Sequence, residues 1–565
     1  MASTGKQDTA QKYPWIENYP KEIDWAEKIS VYPVYEMLER TVKDYADRPA
    51  FDFLGKKWNW GQIGAQVNAL AKGLQELGVK KGIQVGLFLP NSPYFLVSYY
   101  AVLRAGGTVV NYNPLYAERE LVHQIEDSET DIMITSNLKI LTDKIDVMLS
   151  ETRLDKVVLC RFTDILPFPK NILFKLVKCS ELSANKFSDR YVWFDQITDN
   201  DGKPDPVQVD PVNDTAVIQY TGGTTGVPKG AELTHGNVVA NVEQAVKWFY
   251  HSKYGEEKVL GVLPFFHVFA MTAVMNKAVR GAFEIIALPR FDLNQTLKLI
   301  HKKKPNYFPA VPAIYSAINN HPDQAKYDLT SLRYCISGGA PLPVEVKKSF
   351  EAKTGCVVIE GYGLSESSPV LCANPIEGMN KAGSIGMPFP GTTVEIVNPD
   401  DKKTRMKVGE RGELCAKGPQ IMKGYWNAEN ATELTIRDGF LYTGDIAVMD
   451  EDGYFFIVDR IKDLIITNGY NVYPRHVEEA IYLHPSVEEC IVAGIPDEQR
   501  GEIVKAWIKT KDGRDLTEED IKAFLEDKLS RMETPRKIEI RTEPLPKTMI
   551  GKLSRKDILT QEQAE

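Results

Sequence analysis

Residues 220–230 combine glycines, hydroxyl side chains and one lysine in a single short stretch, Tyr-Thr-Gly-Gly-Thr-Thr-Gly-Val-Pro-Lys-Gly. Glycines allow backbone N–H groups to turn toward an anion. Thr221, Thr224 and Thr225 add donors, and Lys229 adds a positive charge that suits phosphate. The spacing is not that of a Walker A loop, because no Gly-Lys-Ser/Thr follows a glycine at the required distance. The stretch predicts a phosphate-binding loop, and a flexible Gly/Thr linker is the alternative.

Further segments downstream carry side chains suited to binding a nucleotide and an acid. Taken singly, each has an ordinary explanation, such as a core histidine, a tight turn or a solvated lysine. Their occurrence together and in one order favours a shared site. The segments are 264–269 with His267 in an aromatic wall, 337–341 with Ser-Gly-Gly, 360–366 with an aromatic ring and two carboxylates, 442–445 ending in Asp445, 459–463 with alternating charges, and 546–552 ending in Lys552.

Apolar runs and helical patterns alternate through the first two-thirds of the chain, which predicts parallel βαβ units covered by helices. The predicted strands are 85–89, 108–111, 131–135, 156–159, 216–218, 259–263 and 334–336, and a helix is expected over 95–103. The run 216–218 precedes the glycine-rich loop, and Thr234 is suited to capping a helix after it. A strand, a glycine-rich loop and a helix are thus expected in direct succession.

The pattern changes near Gly383, where short strands and Gly/Asp turns predict a small β-barrel or mixed sheet. After Lys462, a compact α+β unit is expected, with helices over 476–483 and 518–529, strands over 487–493 and 504–509, and a frayed tail after Asp557. The charge cluster 459–463 marks the predicted boundary between a domain of residues 1–461 and a domain of residues 462–565. The fold class is therefore α/β, with doubly wound sheets and a small β-barrel in a large N-terminal domain and a smaller, mobile α+β C-terminal domain.

Length and charge exclude several classes of protein. With 565 residues and 43% hydrophobic content, the chain is too long for one core. A net charge of −9 argues against a general nucleic-acid binder, although a local positive site could still bind a nucleotide. Seven scattered cysteines, an N-terminus without a signal-peptide core and the lack of a membrane-spanning apolar stretch predict a cytoplasmic protein. The sequence leaves open whether the protein forms a homodimer.

Together these motifs resemble those of the adenylate-forming superfamily, which includes acyl-CoA synthetases, luciferases and peptide-synthetase adenylation domains. The resemblance covers the chain from about Val34 to Lys556. Within the superfamily, segments 113–116, 166–173 and 264–269 look most like those of bacterial long-chain fatty-acid–CoA ligases. The resemblance implies ATP-dependent activation of a long-chain fatty acid to acyl-AMP, followed by transfer to CoA with release of AMP.

The resemblance also assigns an ATP site with Mg²⁺. The loop residues would hold the β- and γ-phosphates, Thr221 and Glu366 would hold Mg²⁺, and Tyr362 would stack on adenine. Ser365 would touch the α-phosphate, and Asp445 and Arg460 would fix the ribose hydroxyls. The full set of implied ATP-binding residues is Thr221, Gly222, Gly223, Thr224, Thr225, Gly226, Lys229, Gly339, Glu360, Gly361, Tyr362, Ser365, Asp445, Arg460 and Lys462.

Catalysis would rest on Lys552, His267 and Glu366, with Lys552 bridging the fatty carboxylate and the α-phosphate. In the family, the C-terminal domain rotates so that the CoA thiol can then reach the acyl carbon. Lys462 resembles the hinge of that rotation, and Gly469 would line the pantetheine channel. The implied acyl-binding residues are Phe265, Phe266, Val268, Phe269, Met271 and Val311, for which plain core packing is the alternative.

Two positions depart from relatives. Met271 stands where one type of long-chain ligase has a gating Trp, and Glu360 stands where several relatives have Gln. The first puts that gate in doubt, and the second leaves open how the adenine amino group is recognised.

Residues 170–178 place Ile172, Leu173, Leu176 and Val177 on one helical face beside lysines. This face could contact the inner surface of the cell membrane or pack on its own domain. Other activities also stay open: an acyl-AMP ligase that loads a carrier protein, a ligase for medium-chain or aryl acids, and an inactive relative that only binds nucleotide or lipid.

Overall fold

The computed structural model describes residues 13–183, 188–221, 228–468, 470–497, 499–511, 514–548 and 552–564. Two large sheets dominate this part of the chain, and each has parallel strands in its middle and antiparallel pairs at an edge. The predicted α/β class is confirmed.

The first large sheet has eight strands among the described residues, and five of its neighbouring pairs are parallel. In spatial order its strands are Gly424–Tyr425, Lys229–Thr234, Thr215–Thr221, Thr108–Asn111, Gln84–Phe88, Ile132–Ser136, Lys156–Cys160 and Tyr191–Trp193.

The second large sheet has nine strands in the described ranges, again with a parallel centre. In spatial order they are Met387–Pro388, Val370–Ala373, Val357–Gly363, Tyr334–Ser337, Tyr307–Ala310, Lys258–Gly261, Glu284–Ala287, Pro49–Phe53 and Lys56–Asn59.

Two smaller sheets follow along the chain. An antiparallel sheet forms where the short strands were expected, from Thr393–Val397, Gly412–Lys417, Phe440–Met449 and Ile436–Arg437, with Phe455–Arg460 paired to Phe440–Met449. The last sheet contains Tyr470–Val472, Ile465–Thr467, Gly501–Thr510 and Val487–Asp497, with Lys537–Arg541 paired to Gly501–Thr510. It carries its own hydrophobic clusters, which include Val477, Ile521 and Trp507.

Helices cover the sheets. The α-helical segments are Tyr35–Tyr45, Trp60–Glu76, Pro93–Arg104, Glu118–Asp127, Lys139–Glu151, Lys170–Val177, Phe194–Ile197, His235–Trp248, Val268–Ala270, Lys277–Gly281, Leu293–Lys303, Pro312–Asn319, Val344–Thr354, Glu429–Thr435, Pro474–Tyr482, Glu518–Leu525 and Arg555–Ala564. A π-helical turn, Met271–Asn276, joins the short helices on either side of it.

The helix Pro93–Arg104 shows where the main core lies. Every residue from Pro93 to Leu103 is buried, as expected for a helix that is apolar on all sides. Phe95 packs against Phe265, which belongs to the connection after a strand of the nine-stranded sheet. The longest apolar stretch of the sequence is therefore a core helix. Within the described residues, no helix is both long and apolar enough to cross a membrane.

Two sequence expectations were wrong. Residues 229–234 form a strand antiparallel to Thr215–Thr221, so a strand separates the glycine-rich loop from the helix His235–Trp248. Pairing on both sides, with Thr215–Thr221 and with the short edge strand Gly424–Tyr425, holds residues 229–234 extended. Thr234 still caps the helix by accepting from the Asn237 backbone N–H at 3.1 Å. The tail after Asp557 is helical rather than frayed, because Ile558 is fully buried in the last sheet's core.

Candidate active site

A cavity of about 2040 Å³ lies where parallel strands of both large sheets end. Val311, Gly338 and Tyr362 reach its wall at or just after the carboxyl ends of strands Tyr307–Ala310, Tyr334–Ser337 and Val357–Gly363. Asn111 and Gln219 reach it from the eight-stranded sheet. The carboxyl edge of a parallel sheet is the usual place for a ligand site, because the connections there converge. The topology thus brings distant sequence segments to one place.

Asp445 is held between a tyrosine and an arginine. The Tyr362 hydroxyl donates to Asp445 Oδ2, and Arg460 Nε lies 3.1 Å from Asp445 Oδ1. The pairing of strands Phe440–Met449 and Phe455–Arg460 places Asp445 directly opposite Arg460. Burial, together with the neighbouring Asp445 charge, raises the pKa of Tyr362 well above its usual value. The result is a fixed carboxylate beside an aromatic ring, which suits recognition of a sugar diol and a base.

Glu360 carries a buried carboxyl group that is only half satisfied. Its Oε1 accepts from the Leu342 backbone N–H at 3.1 Å, whereas Oε2 finds no hydrogen-bond partner in the described structure. Burial raises the pKa of Glu360 to about 7. Gly339, with φ of +79°, and Gly361 line the same wall, and the left-handed backbone at Gly339 is one that favours glycine.

Glu366 faces the strand that follows the glycine-rich loop. It lies in the 3-10 turn Ser365–Ser367, and its Oε1 accepts from the Tyr425 hydroxyl at 2.7 Å. The Lys229 ammonium lies 5.3 Å from the centre of the Tyr425 ring, and Thr221 pairs with Lys229 across the two strands. Tyr425 therefore links Lys229, at one end of the loop, to the Glu366 carboxylate. Sequence reasoning missed Tyr425, because nothing in its local pattern indicates a role.

Some predicted site residues lie outside the described residues. These are Gly222, Gly223, Thr224, Thr225 and Gly226 of the loop and Gly469 of the predicted pantetheine channel.

His267 lies on the cavity wall at the start of the helix Val268–Ala270. Its Nδ1 accepts from the Phe269 backbone N–H at 3.2 Å, and burial lowers the pKa of His267 to about 4. The imidazole is therefore neutral at physiological pH, with Nε2 left to donate. The Phe269 ring lies under Gly338, where an added Cβ would stand 3.2 Å from ring atoms. This close approach explains why glycine follows Ser337.

The predicted acyl-binding residues divide into two groups. Phe266, Val268, Phe269 and Val311 line the cavity. Phe265 and Met271 are instead fully buried and are not part of its described wall. Phe265 packs edge-on against Phe51 and Phe95. The Met271 sulfur lies 3.6 Å from Nδ2 of Asn111, a residue that does line the cavity.

Lys552 and Lys462 reach the same cavity from the last part of the chain. Burial and the positive charge of Arg460 lower the pKa of Lys552 to about 8, and Asp445 partly opposes this shift. Burial also lowers the pKa of Lys462, which lies in the 3-10 turn Ile461–Asp463. Lys552 is therefore close to the Asp445–Arg460 pair, although 107 residues separate Lys552 from Asp445 in sequence.

Arg555 links the final helix to this region. It makes two bonds of 2.8 Å to Glu478 and one of 3.0 Å to Asp463, and it donates to the Val492 carbonyl. The sequence analysis did not predict a role for Arg555. The one local feature that could have indicated it is its position three residues after Lys552.

Among the described residues, no group of three or more His, Cys, Asp or Glu side chains is arranged to hold a metal ion. A Mg²⁺ ion that bridges phosphates needs only one or two protein carboxylates, because it keeps several water ligands. Thr221 and Glu366 both line the cavity, so one hydroxyl and one carboxylate are available there, a donor set that fits this mode.

Known proteins are similar to this chain over nearly its whole length. A long-chain-fatty-acid–CoA ligase of Bacillus subtilis strain 168 is 44% identical over 555 residues, which cover 97% of this chain and 98% of the relative. A ligase of the same description from Escherichia coli O6:H1 is 37% identical with the same coverage. The crystal structure of ATP-bound MatB from Rhodopseudomonas palustris matches with a TM-score of 0.82 at 27% identity, covering 95% of this chain and 99% of that one.

Family models agree with these similarities. One described as AMP-binding enzyme matches residues 38–426, and one described as AMP-binding enzyme C-terminal domain matches residues 476–552. The predicted adenylate-forming resemblance is confirmed. The chain belongs to the AMP-binding enzyme family.

Proposed function

We propose that this protein is a long-chain fatty acid–CoA ligase that forms AMP. One observation carries the proposal: Lys552 lies on the same cavity wall as the Asp445–Arg460–Tyr362 group and His267. In the proposed reaction, the Lys552 cation would act where the carboxylate and the α-phosphate meet. The relatives from Bacillus subtilis and Escherichia coli, both long-chain-fatty-acid–CoA ligases, support the substrate class.

The first step joins two anions. A carboxylate oxygen of the fatty acid attacks the α-phosphorus of ATP, the bond to the β-phosphate breaks, and pyrophosphate leaves. Lys552 balances charge on the reacting oxygens, while neutral His267 can donate a hydrogen bond to the fatty carboxylate without neutralising it. The triphosphate favours the charged form of Lys552, whose pKa burial has lowered. Preorganised charge of this kind commonly contributes a hundredfold or more in rate.

Nucleotide binding follows from the same geometry. Tyr362 would stack on adenine, Asp445 and Arg460 would bind the ribose hydroxyls, and Ser365 would contact the α-phosphate. Thr221, Lys229 and the loop between them would hold the outer phosphates. Mg²⁺, held by Glu366 and Thr221, would supply positive charge between the phosphates when bound.

The second step needs a different face of the acyl-AMP. The CoA sulfur attacks the acyl carbon, the bond to the phosphate oxygen breaks, and AMP leaves. Since Lys552 lies on the cavity wall in the present arrangement, we propose that residues 462–565 rotate about Lys462 between the two steps. This divides the chain into domains of residues 1–461 and 462–565.

The activity can be tested with purified protein, ATP, Mg²⁺, CoA and fatty acids of graded length, with AMP, pyrophosphate and thioester followed together. We expect all three products, with long chains preferred. AMP release that requires a carrier protein would instead indicate a carrier-loading ligase. A preference for medium-chain or aryl acids would correct the substrate class, and no pyrophosphate with any acid would indicate an inactive relative.

We also propose that the helix Lys170–Val177 contacts the inner face of the cell membrane, with the protein otherwise in the cytoplasm. No residue of this helix is buried, and Leu176 and Val177 are 71% and 76% exposed. Phe168, just before it, is 79% exposed. Packing on its own domain therefore does not account for this face. Nearby Lys170, Lys175 and Lys178 favour an anionic surface.

Sedimentation with anionic vesicles tests the contact. A Leu176→Gln/Val177→Gln variant should bind at least tenfold more weakly, and neutralising the three lysines should weaken binding in a salt-dependent way. Val212→Gln, at a position that is 62% exposed elsewhere, is the matched control. Equal binding by wild type and all variants would contradict the proposal.

A further inference from the structure

Lys277 is a buried amine that neither step of the proposed reaction uses. It begins the helix Lys277–Gly281, directly after the π-helical turn, and is 2% exposed. Its side chain nevertheless lies on the wall of the active-site cavity, together with Ala273 and Phe249. A lysine is almost never fully buried without a partner, so its place here needs an explanation.

The surroundings of Lys277 offer it aromatic faces but no hydrogen bond. Its ammonium nitrogen lies 3.5 Å from the centre of the Phe249 ring and 4.1 Å from that of Tyr307. Within the described residues, Nζ has no hydrogen-bond partner. The charge of the Glu257 carboxylate favours the protonated form of Lys277, but both Glu257 oxygens accept hydrogen bonds from Arg333. The three donors of the ammonium group are thus unused.

The position of Lys277 along the cavity is fixed by helical geometry. Phe269, Thr272, Ala273 and Lys277 all line the cavity, and their spacing places them on one face of a nearly continuous helix. From His267 to Lys277, the helix rises by about 15 Å. The amine therefore stands at the far end of a wall that begins beside the predicted carboxylate position.

An unsatisfied buried polar group is destabilising, and more so when it is charged. The two rings compensate in part, because cation–π contacts with a charged amine strengthen when they are desolvated. Burial lowers the pKa of Lys277 well below its usual value, so the site as it stands disfavours the charge. A ligand oxygen would satisfy the amine in either protonation state, since a hydroxyl pairs with the neutral form and a carboxylate with the charged form.

We propose that the far end of the acyl site binds an oxygen-bearing group, so that the protein accepts long-chain acids with a terminal hydroxyl or second carboxylate. This inference rests on the proposed acyl-CoA ligase function and refines its substrate class. An entirely apolar chain would leave Lys277 without a hydrogen bond, whereas an oxygenated chain of matching length would supply one.

The test compares plain, ω-hydroxy and α,ω-dicarboxylic acids of equal length, over a series of lengths, with thioester formation as the readout. In wild type, the ratio of kcat/KM for oxygenated over plain acid should peak at one chain length, because Lys277 is fixed in place. In Lys277→Met, which conserves volume, this ratio should fall about tenfold or more at that length. Lys277→Gln, which keeps a hydrogen-bond donor, should retain part of the preference for the oxygenated acid.

Lys302→Met is the matched control, since Lys302 is exposed on the helix Leu293–Lys303, and its ratio should equal that of wild type. The proposal would be overturned in favour of a packing role if Lys277→Met left the ratio of kcat/KM for oxygenated over plain acid unchanged. An equal fall of kcat/KM with all acids would have the same meaning. If Lys277→Met does not fold, wild type alone decides. The proposal is overturned if kcat/KM for the oxygenated acid exceeds that for the plain acid at no chain length. Thioester formation from plain acids tests the ligase function separately.

Discussion

Lys552 is the side chain on which the first half-reaction should depend most. It lies close enough to Arg460 and Asp445 for their charges to shift its pKa, and in the proposed reaction its own charge would act where the carboxylate and α-phosphate meet. We expect Lys552→Ala to lower the rate of acyl-AMP formation by a hundredfold or more, while CoA transfer from supplied acyl-AMP is spared. Pyrophosphate release and thioester formation measure the two steps separately. Equal loss in both would contradict this role.

Glu360 should make the stability of the protein depend on pH. Its pKa is raised by burial from 4.5 to about 7, so the folded protein binds its proton more tightly than the unfolded chain does. The stabilisation from this proton is complete below pH 4.5 and is lost as pH rises through about 7. Glu360→Gln cannot ionise at this position. As pH rises between these limits, its free energy of unfolding should therefore increase by about 3 kcal/mol relative to that of wild type.

Urea unfolding of both proteins at pH 5 and pH 8 measures this difference. Glu345→Gln, at an exposed position on a nearby helix, is the control and should show no such pH-dependent gain. A constant difference between Glu360→Gln and wild type across the range would show that Glu360 is ionised throughout.

At the scale of elements, Arg555 joins the start of the final helix to a neighbouring helix, a turn and the last sheet. Arg555 bonds Glu478, Asp463 and the Val492 carbonyl. Arg555→Ala would leave the Glu478 carboxylate without its cation in a buried setting, and removing one member of a buried pair costs about 3 kcal/mol. We expect faster hydrogen exchange in helices Pro474–Tyr482 and Arg555–Ala564, together with slower acyl-AMP formation because Lys552 is less well positioned.

Lys522→Ala is the matched control for Arg555→Ala. Lys522 pairs with Glu518 on an exposed helix face, where such a pair contributes about 0.5 kcal/mol at most. Its exchange pattern and activity should stay close to those of wild type. Equal effects of the two substitutions would show that Arg555 is not the anchor of the final helix.

At the scale of the whole molecule, the proposed function requires a rotation about Lys462. This residue lies in the 3-10 turn Ile461–Asp463, whose φ values of roughly −50° to −70° suit proline. Lys462→Pro should therefore favour the present arrangement and hinder the φ change. We expect acyl-AMP formation to be retained within about tenfold and thioester formation to fall much further. Loss of both steps with an unchanged melting temperature would contradict the hinge.

Two limits of sequence reasoning appear at this scale. The glycine-rich loop was expected to lead into a helix, but residues 229–234 pair with the preceding strand, because a tertiary partner at the sheet edge decides between strand and connection. Phe265 and Met271 looked like acyl-binding residues, yet they face the core. Neighbouring apolar side chains point to opposite sides of a segment, and the sequence does not say which side holds the cavity.

The sequence by itself determined the α/β class, the positions of several strands and helices, and the family, because periodicity and closely spaced motifs are local properties. It also supplied most of the side chains that the structure brings together, including His267, Tyr362, Asp445 and Lys552. Only the tertiary structure decided that Tyr425 hydrogen-bonds Glu366, that Arg555 contacts Glu478 and Asp463, and that Lys277 lines the candidate active-site cavity. Those contacts join segments far apart in the chain, and chain folding alone creates the burial that gives them their chemistry.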